Sequence, residues 1–510
     1  MIGKIYCGGV LGVKGILVSV EADVSSGLPG VAMVGSLSPA VKEAQDRVRT
    51  ALKNSGFQLL AKKITVNLSP ANIRKDGTGY DVAIALAILC GYGVIDGEAL
   101  SDTVFVGELG LDGEIKPVNG VMPIVECAAD SGFRRCFLPA ANVKEGTAIR
   151  GIRIAGVSTL RELVECLDGT REPAYCEWEE EVWEEETYPV DFREVSGQLL
   201  LRRATEVAVA GMHNILYVGA AGTGKTMVAR RIPTIMPSMT MEEALEVSKI
   251  YSICGLIPSG QTMIHRRPFR SPHHAVTAQA LIGGGRIPRP GEISLSSHGV
   301  LFLDELTEFP SHILDLMRQP LEEKRVTVAR VGGSYEFPAD CMLAAAMNPC
   351  KCGFYPDRTR CRCTESQVRQ YLGKISKPFL DRIDICVEAA PVTYTEMQGG
   401  GEGESSARIR ERVERARRIQ LERLRPIGKH FNAQMKRAEI RDYCALGVRE
   451  ESYMEQIYER MHLSPRGCER LLKVARTIAD LEGSPKIKKA HLSEAAGYRS
   501  LEEKLWGGKQ

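Results

Sequence analysis

Residues Gly219, Ala220, Ala221, Gly222, Thr223, Gly224, Lys225 and Thr226 fit the spacing GxxxxGK[ST]. Glycines so placed let successive backbone N–H groups turn toward one anion. A helix that starts at the lysine adds the positive end of its dipole. Lys225 would supply a point charge to the β- and γ-phosphates of a nucleoside triphosphate, and Thr226 would offer its hydroxyl to Mg²⁺. A chance glycine-rich turn is the alternative. The apolar run ILYV before the motif and the helix-forming sequence after it give the strand–loop–helix context that the motif needs.

A second group of residues suits the same chemistry. The run GVLFLDEL at 299–306 is a short apolar strand that ends in Asp304 and Glu305. Asp304 is placed to hold the Mg²⁺ shell and Glu305 to polarise an attacking water. Two adjacent carboxylates are costly to bury, which favours a cation partner. The strand-like run from Met342 ends in Asn348, which would hydrogen-bond that water or the γ-phosphate; Asn-Pro is equally a turn signal.

Cys350, Cys352, Cys361 and Cys363 form CxC-x8-CxC just after Asn348. Four thiolates so close can enclose Zn²⁺ tetrahedrally; reduced thiols in a surface loop are the alternative. Arg358, Arg360 and Arg362 would make that loop positive. Between 261 and 290, Arg266, Arg267, Arg270, Arg286 and Arg289 occur with His273 and His274 and without an acidic residue. Such a segment suits a phosphate backbone, with nucleotide or subunit contacts as the alternative. Lys324, Arg325 and Arg330, on a predicted hairpin, would add to it. The arginine-rich run 408–425 reads as a solvated helix face.

The elements that must position these residues follow from the rest of the chain. Its 510 residues exceed one ordinary core, and 44% apolar with 25% charged residues is a globular composition. A net charge of +2 leaves any basic surface local. Residues 1–172 alternate strand and helix patterns, with Ile64, Val66 and Leu68 on one strand face and Ser38-Pro39 opening an amphipathic run to Gly56. Residues 173–190 form an acidic linker around EWEEEVWEEE. Residues 191–395 alternate β and α segments, which predicts a mostly parallel sheet covered by helices. Residues 396–406 are a flexible linker, and 407–510 are helical. The apolar stretch from Val82 to Ile95 is too short to span a bilayer and reads as a buried helix. The chain opens without a secretory pattern, so the expected location is cytoplasmic. The fifteen cysteines are expected to be reduced.

Taken together, DFREVSGQ, GAAGTGKT, FRSPHHAVTAQALIGGG, RPGEISLSSHGVLFLDEL, AAMNPC and FLDRID resemble the magnesium-chelatase-like AAA+ ATPases, within them the ComM/YifB branch. The resemblance spans nearly the whole chain. It implies an N-terminal Lon-protease-like α/β domain, a central AAA+ P-loop domain with a parallel sheet and a C-terminal helical lid. It further implies ATP and Mg²⁺, a hexameric ring, and ATP-driven movement on single-stranded or branched DNA, with branch migration as the sharp version. Arg382 matches the arginine finger that reaches a neighbouring subunit's nucleotide; pairing with Asp381 or Asp384 is the alternative. Arg466 matches the lid's sensor arginine, with Arg470 competing for the role. A metal-inserting chelatase motor is a second reading. An ATP-dependent protease is a third, disfavoured because Gly79 and Met122 occupy the positions of the catalytic serine and lysine. Ser38, Ser69 and Lys116 match neither position.

Overall fold

The computed structural model describes residues 2–180, 187–330, 333–391 and 403–506. The chain is mixed α/β and divides into two compact units. One comprises Met1–Glu184, Thr240–His265 and Thr327–Phe337; the other comprises Glu185–Met239, Arg266–Val326 and Pro338–Gln510.

The first unit is built on an eight-stranded mixed sheet. Its strands are β1 (Ile2–Leu11), β2 (Lys14–Ser25), β3 (Gly30–Val34), β4 (Lys63–Ser69), β5 (Thr103–Phe105), β6 (Arg135–Pro139), β7 (Arg153–Val157) and β8 (Tyr175–Cys176), in the order β8-β7-β6-β5-β1-β2-β4-β3. Alternation in β4 buries Ile64, Val66 and Leu68, as the sequence requires of a half-buried strand. The helix Asp81–Gly91 is apolar on every side and every residue of it is buried. Ser38 caps the helix Pro39–Lys42 by accepting the Val41 N–H, but the expected run to Gly56 breaks at Glu43 and resumes as Ala44–Asn54.

Two stretches of the region expected to form the ATPase core fold into this unit instead. The helix Met241–Cys254 is opened by a reciprocal cap between Thr240 and Glu243. It lies along the helix Val121–Asp130, where Lys249 pairs with Glu126 at 2.9 Å and the Ser252 carbonyl accepts the Gly120 N–H at 3.0 Å. The second stretch is the outer part of the hairpin formed by Arg325–Arg330 and Gly333–Pro338.

The expected acidic linker is only partly a linker. Tyr175–Cys176 adds an edge strand, and Arg150 stacks on Trp178 at 3.7 Å. Residues 181–186 of the acidic run lie outside the described residues, as do 396–402 of the second linker. Residues 403–406 are docked rather than loose: the Gly403 N–H reaches Arg193 and Glu404 pairs with Arg412.

The second unit carries a five-stranded, wholly parallel sheet: β9 (Ile215–Val218), β10 (Phe269–Arg270), β11 (Val300–Leu303), β12 (Met342–Met347) and β13 (Ile385–Glu388), ordered β10-β11-β12-β9-β13. Strands β9, β11 and β12 are buried throughout, which explains their unbroken apolar sequences. The C-terminal helices do not form a separate body. Ile409, Val413, Leu471 and Ile478 share one core with Ala204, Val207 and the strands. Only part of 408–425 is a solvated face: Arg408, Arg415, Arg418 and Arg425 are exposed. In the helix Ser406–Leu424, Arg412 pairs with Glu206 and Glu404, Arg423 pairs with buried Asp480, and Arg417 stacks on Phe431. No helix among the described residues is long and apolar enough to cross a membrane.

Candidate functional site

Parallel strands release their carboxyl ends along one edge of a sheet, and ligands bind where successive connections diverge there. Val218 stands beside Met347 and Leu303 beside Ala345, so β9, β12 and β11 deliver Gly219, Asn348 and Asp304 to that edge together. The loop after β9 turns through positive φ at Gly222 (78°) and Gly224 (84°), a region that residues with Cβ rarely adopt. Gly219 is required for space: a Cβ there would lie 2.5 Å from the Ala389 carbonyl. The helix Lys225–Ile235 begins at the loop's end and aims its free N–H groups into a cleft of about 550 Å³.

Lys225 spans this cradle. Its Nζ donates to the Gly219 and Ala220 carbonyls at 2.7 Å each and to Asn348 Oδ1 at 3.2 Å. Burial pulls its ammonium below the ordinary lysine range, while the Asp304 carboxylate works in the opposite direction. Thr226 Oγ1 donates to Asp304 Oδ2 at 2.7 Å, so the hydroxyl and carboxylate expected on Mg²⁺ already face one another. Gly222, Thr223, Gly224 and Ala221 line the cleft with Asp304, Glu305 and Asn348.

The expectation that the two carboxylates are buried is corrected. The strand is buried, but Asp304 is half-buried and Glu305 is exposed at the cleft, with His274 Nδ1 3.6 Å from its carboxylate. Glu305 sits at φ 52°, ψ 47°, a left-handed conformation costing about 1–2 kcal/mol in a residue with a Cβ. Beyond that turn its side chain lines the cleft with Asp304.

Several residues of the site were not foreseen. Gln198 Nε2 donates to the Thr223 carbonyl at 3.1 Å and braces the phosphate loop. Thr307 donates to the Tyr371 hydroxyl at 2.6 Å, and both line the cleft with Lys351. Lys351 stands between two cysteines, three residues from Asn348, a position in which its sequence context signals a metal site rather than a phosphate contact.

Arg382 and Arg466 do not line this cleft within the chain. They meet in a second cleft of about 790 Å³, where both face Glu322: Arg382 hydrogen-bonds it and Arg466 approaches to 3.6 Å with its side chain largely in solvent. The partner of Arg382 is thus neither Asp381 nor Asp384. Arg470 is buried and clamps Asp381 at 2.9 Å and the Ile383 carbonyl at 2.6 Å, a structural engagement, whereas Arg466 is largely in solvent. Asp384 is buried beneath; it accepts the Asn214 N–H at 3.1 Å and faces His213 at 3.6 Å.

The five arginines between 261 and 290 are not one surface. Arg267 is buried and donates to the carbonyls of Pro237, Ser238 and His298. Arg270 forks onto Glu292 at 2.6 and 2.7 Å, and Arg266 lies over the Tyr188 ring. Arg286 and Arg289 are exposed, on a small hairpin whose glycines Gly283, Gly284 and Gly285 all take positive φ. Lys324 is likewise committed, to Asp340 at 3.3 Å.

The four cysteines converge. Their Sγ atoms all lie within 4.8 Å of one another, with Cys350–Cys352 at 3.3 Å, Cys352–Cys361 at 3.6 Å and Cys350–Cys361 at 3.8 Å. In the first unit, Gly79 packs near Val106 and Val118, and Met122 is wholly buried, so neither position offers a nucleophile or a base.

Comparison with known proteins matches three stretches of the chain. Residues 191–397 match the family described as magnesium chelatase, subunit ChlI; residues 20–142 match subunit ChlI of Mg-chelatase; residues 403–499 match the ChlI C-terminal family. The chain is 40% identical over 504 residues to competence protein ComM of Haemophilus influenzae, covering 98% of this chain and 97% of that one. It is 40% identical over 499 residues to YifB of Salmonella typhimurium, covering 97% and 96%. Over 161 residues it is 31% identical to DNA repair protein RadA of Escherichia coli, covering 31% of this chain and 33% of that one.

Proposed function

This chain belongs to the magnesium-chelatase-like ComM/YifB family of AAA+ proteins, and from that premise we propose that it is an ATP hydrolase that works as a ring, most plainly a hexamer, and drives movement along branched or single-stranded DNA during recombination. The observation that carries the ATPase half is the convergence of Lys225, Thr226, Asp304 and Asn348 on one cleft at the sheet edge. Glycines that admit the loop conformation and an open helix N-terminus fit a triphosphate; the paired Thr226 hydroxyl and Asp304 carboxylate are oxygen donors of the kind Mg²⁺ takes. When bound, Mg²⁺ would neutralise phosphate charge. Lys225 would hold the phosphates in line, Asn348 would hold Lys225 and the terminal phosphate, and Glu305 would accept a proton from the attacking water.

The oligomeric half rests on Arg382. A guanidinium that lines a different cleft from the chain's own nucleotide site has catalytic use only if it completes a neighbour's site. The DNA half rests on exposed Arg286 and Arg289 on a glycine-rich hairpin, and on the relatives, whose names are those of a competence protein and a DNA repair protein. The four thiols fit Zn²⁺: a regular tetrahedron with 2.3 Å metal–sulfur bonds has edges of about 3.8 Å, the scale of the separations found. The N-terminal unit, with Gly79 and Met122 at the protease-type positions, serves as a guiding or assembly module.

The test is the ATPase rate of the purified protein with and without branched DNA, across a salt series. Stimulation that fades as salt rises supports the DNA motor. Hydrolysis indifferent to every DNA structure would remove DNA as the cargo and favour the metal-inserting reading.

A further inference from the structure

We propose that Lys351 is a second phosphate-binding lysine of the nucleotide cleft, and that the four-cysteine knob is what holds it there, so that metal loading of the knob governs nucleotide affinity. The inference rests on the nucleotide reading of the cleft and on the zinc reading of the cysteines. It adds a link between them that neither contains.

Four observations carry it. Lys351 lines the same cleft as Lys225, Thr226, Asp304 and Asn348, with its side chain exposed there. Its two neighbours in sequence are Cys350 and Cys352, whose sulfurs are 3.3 Å apart; closing the four thiols on one ion would therefore pin the backbone on both sides of Lys351. The knob also rests against the phosphate loop itself. Gly353, at φ 85°, comes so near that a Cβ there would stand 3.8 Å from Ala220 Cα and from the Ala221 nitrogen. Lastly, the segment leaves β12 at Asn348, the residue that accepts the Lys225 ammonium.

Turns, an Arg358–Glu365 pair at 3.5 Å and Arg358 and Arg360 over the Tyr355 and Phe354 rings order the loop locally, but they bury little of it. Cys350 and Cys361 are its buried residues with Gly353, while Cys352, Arg358, Arg360 and Arg362 are exposed or half-buried. The Tyr355 N–H donates to Cys350 Sγ at 3.4 Å, and Arg358 donates to the Cys363 carbonyl at 3.1 Å, contacts of the kind that orient ligands around a metal. Four thiolates on Zn²⁺ leave two net negative charges, and Lys351, Arg358, Arg360 and Arg362 interleave with the cysteines in sequence. Such small loops gain their order from the metal, because the unliganded thiols supply no comparable core. A charge-assisted contact from lysine to phosphate changes affinity by roughly ten- to a hundredfold when it is held in place, and by much less on a loose loop.

The experiment joins metal analysis with binding of a slowly hydrolysed ATP analogue. Wild-type protein is expected to hold about one Zn²⁺ per chain and, on replacement by Co²⁺, to show the intense thiolate charge-transfer and tetrahedral ligand-field bands. Lys351→Ala should keep its zinc and bind the analogue about tenfold more weakly, with Lys351→Arg restoring most of the loss. Cys361→Ser should lose zinc and weaken binding at least as much, and adding Lys351→Ala to it should cost little more. Cys352→His, which retains a zinc ligand, should keep both metal and affinity, which separates loading from any effect of substitution on folding. Undiminished affinity in Lys351→Ala, or in zinc-free Cys361→Ser, would overturn the proposal. Wild-type protein devoid of zinc would overturn its metal half whatever the nucleotide result. Wild-type protein that takes up zinc but no nucleotide would instead strike the reading of the cleft.

Discussion

Replacing Asp384 by alanine tests how the sheet edge is held. Asp384 is buried at the start of β13, where it accepts the backbone N–H of Asn214 at 3.1 Å and faces His213 at 3.6 Å. Asn214 opens β9, the strand that ends in the phosphate loop, and its own side chain accepts the Leu343 N–H at 2.9 Å and donates to the Arg382 carbonyl at 2.7 Å. One carboxylate therefore ties β9, β12 and β13 together and fixes the backbone beneath Arg382. Burial works against its charge, but His213, Lys473 and Arg470 hold it well below the usual carboxylate range. Its folded pKa is depressed, so its contribution to stability is complete above the unfolded value of about 4 and is lost as pH falls toward the folded one. Removing one member of such a buried charged set costs about 3–5 kcal/mol, because its partners keep their desolvation cost without their acceptor. Under conditions where exchange reports opening equilibria, that corresponds to roughly a hundred- to five-thousandfold loss of amide protection. Hydrogen-exchange mass spectrometry of Asp384→Ala should show this loss in peptides covering 215–218 and 342–347, while strands β1 and β2 of the other unit keep theirs. Asp384→Asn, which preserves an acceptor, should lose far less. Protection in β9 and β12 within about fivefold of wild type would refute the reasoning.

Glu305→Gln should bind ATP with near wild-type affinity but turn over at least about a hundredfold more slowly, as measured by phosphate release, because the proton acceptor for water is gone. Arg382→Ala should fold and bind nucleotide yet lose roughly a thousandfold or more in turnover, and inactive Lys225→Ala protomers mixed with it should recover activity if each supplies what the other lacks. Arg286→Ala with Arg289→Ala should leave DNA-free ATPase intact and lower the salt dependence of DNA binding by about one to two in log–log slope; Arg267→Ala, by contrast, should reduce stability, since its guanidinium is buried among carbonyls.

Much of this site is legible in the sequence because its determinants are local. A phosphate loop needs glycines at fixed offsets, a strand before it and a helix after it, and all three lie within twenty residues. Asp304 and Asn348 could be placed because each ends an unbroken apolar strand, and parallel strands present their ends to one edge. What escaped is long-range. Nothing in RRPFR distinguishes Arg267, sealed among carbonyls, from a surface arginine, and the acceptor of Arg270, Glu292, stands twenty-two residues away. The helix Met241–Cys254 has an ordinary amphipathic sequence, and its membership of the N-terminal unit is decided by packing on Val121–Asp130. Within 408–425, Arg412 and Arg423 depart from a solvated face because their partners, Glu206 and Asp480, come from helices distant in the chain. Charge runs report composition, and only the fold says which charges have met their opposites.

The most direct test of the account is ATP binding and hydrolysis by Lys225→Ala. Lys225 touches both the phosphate loop, at Gly219 and Ala220, and the second strand end, at Asn348. The variant is expected to remain folded, to bind Mg²⁺-ATP at least about tenfold more weakly, and to lose nearly all turnover. Wild-type affinity and turnover in that variant would contradict the central claim that this cleft is where the triphosphate is held and cleaved.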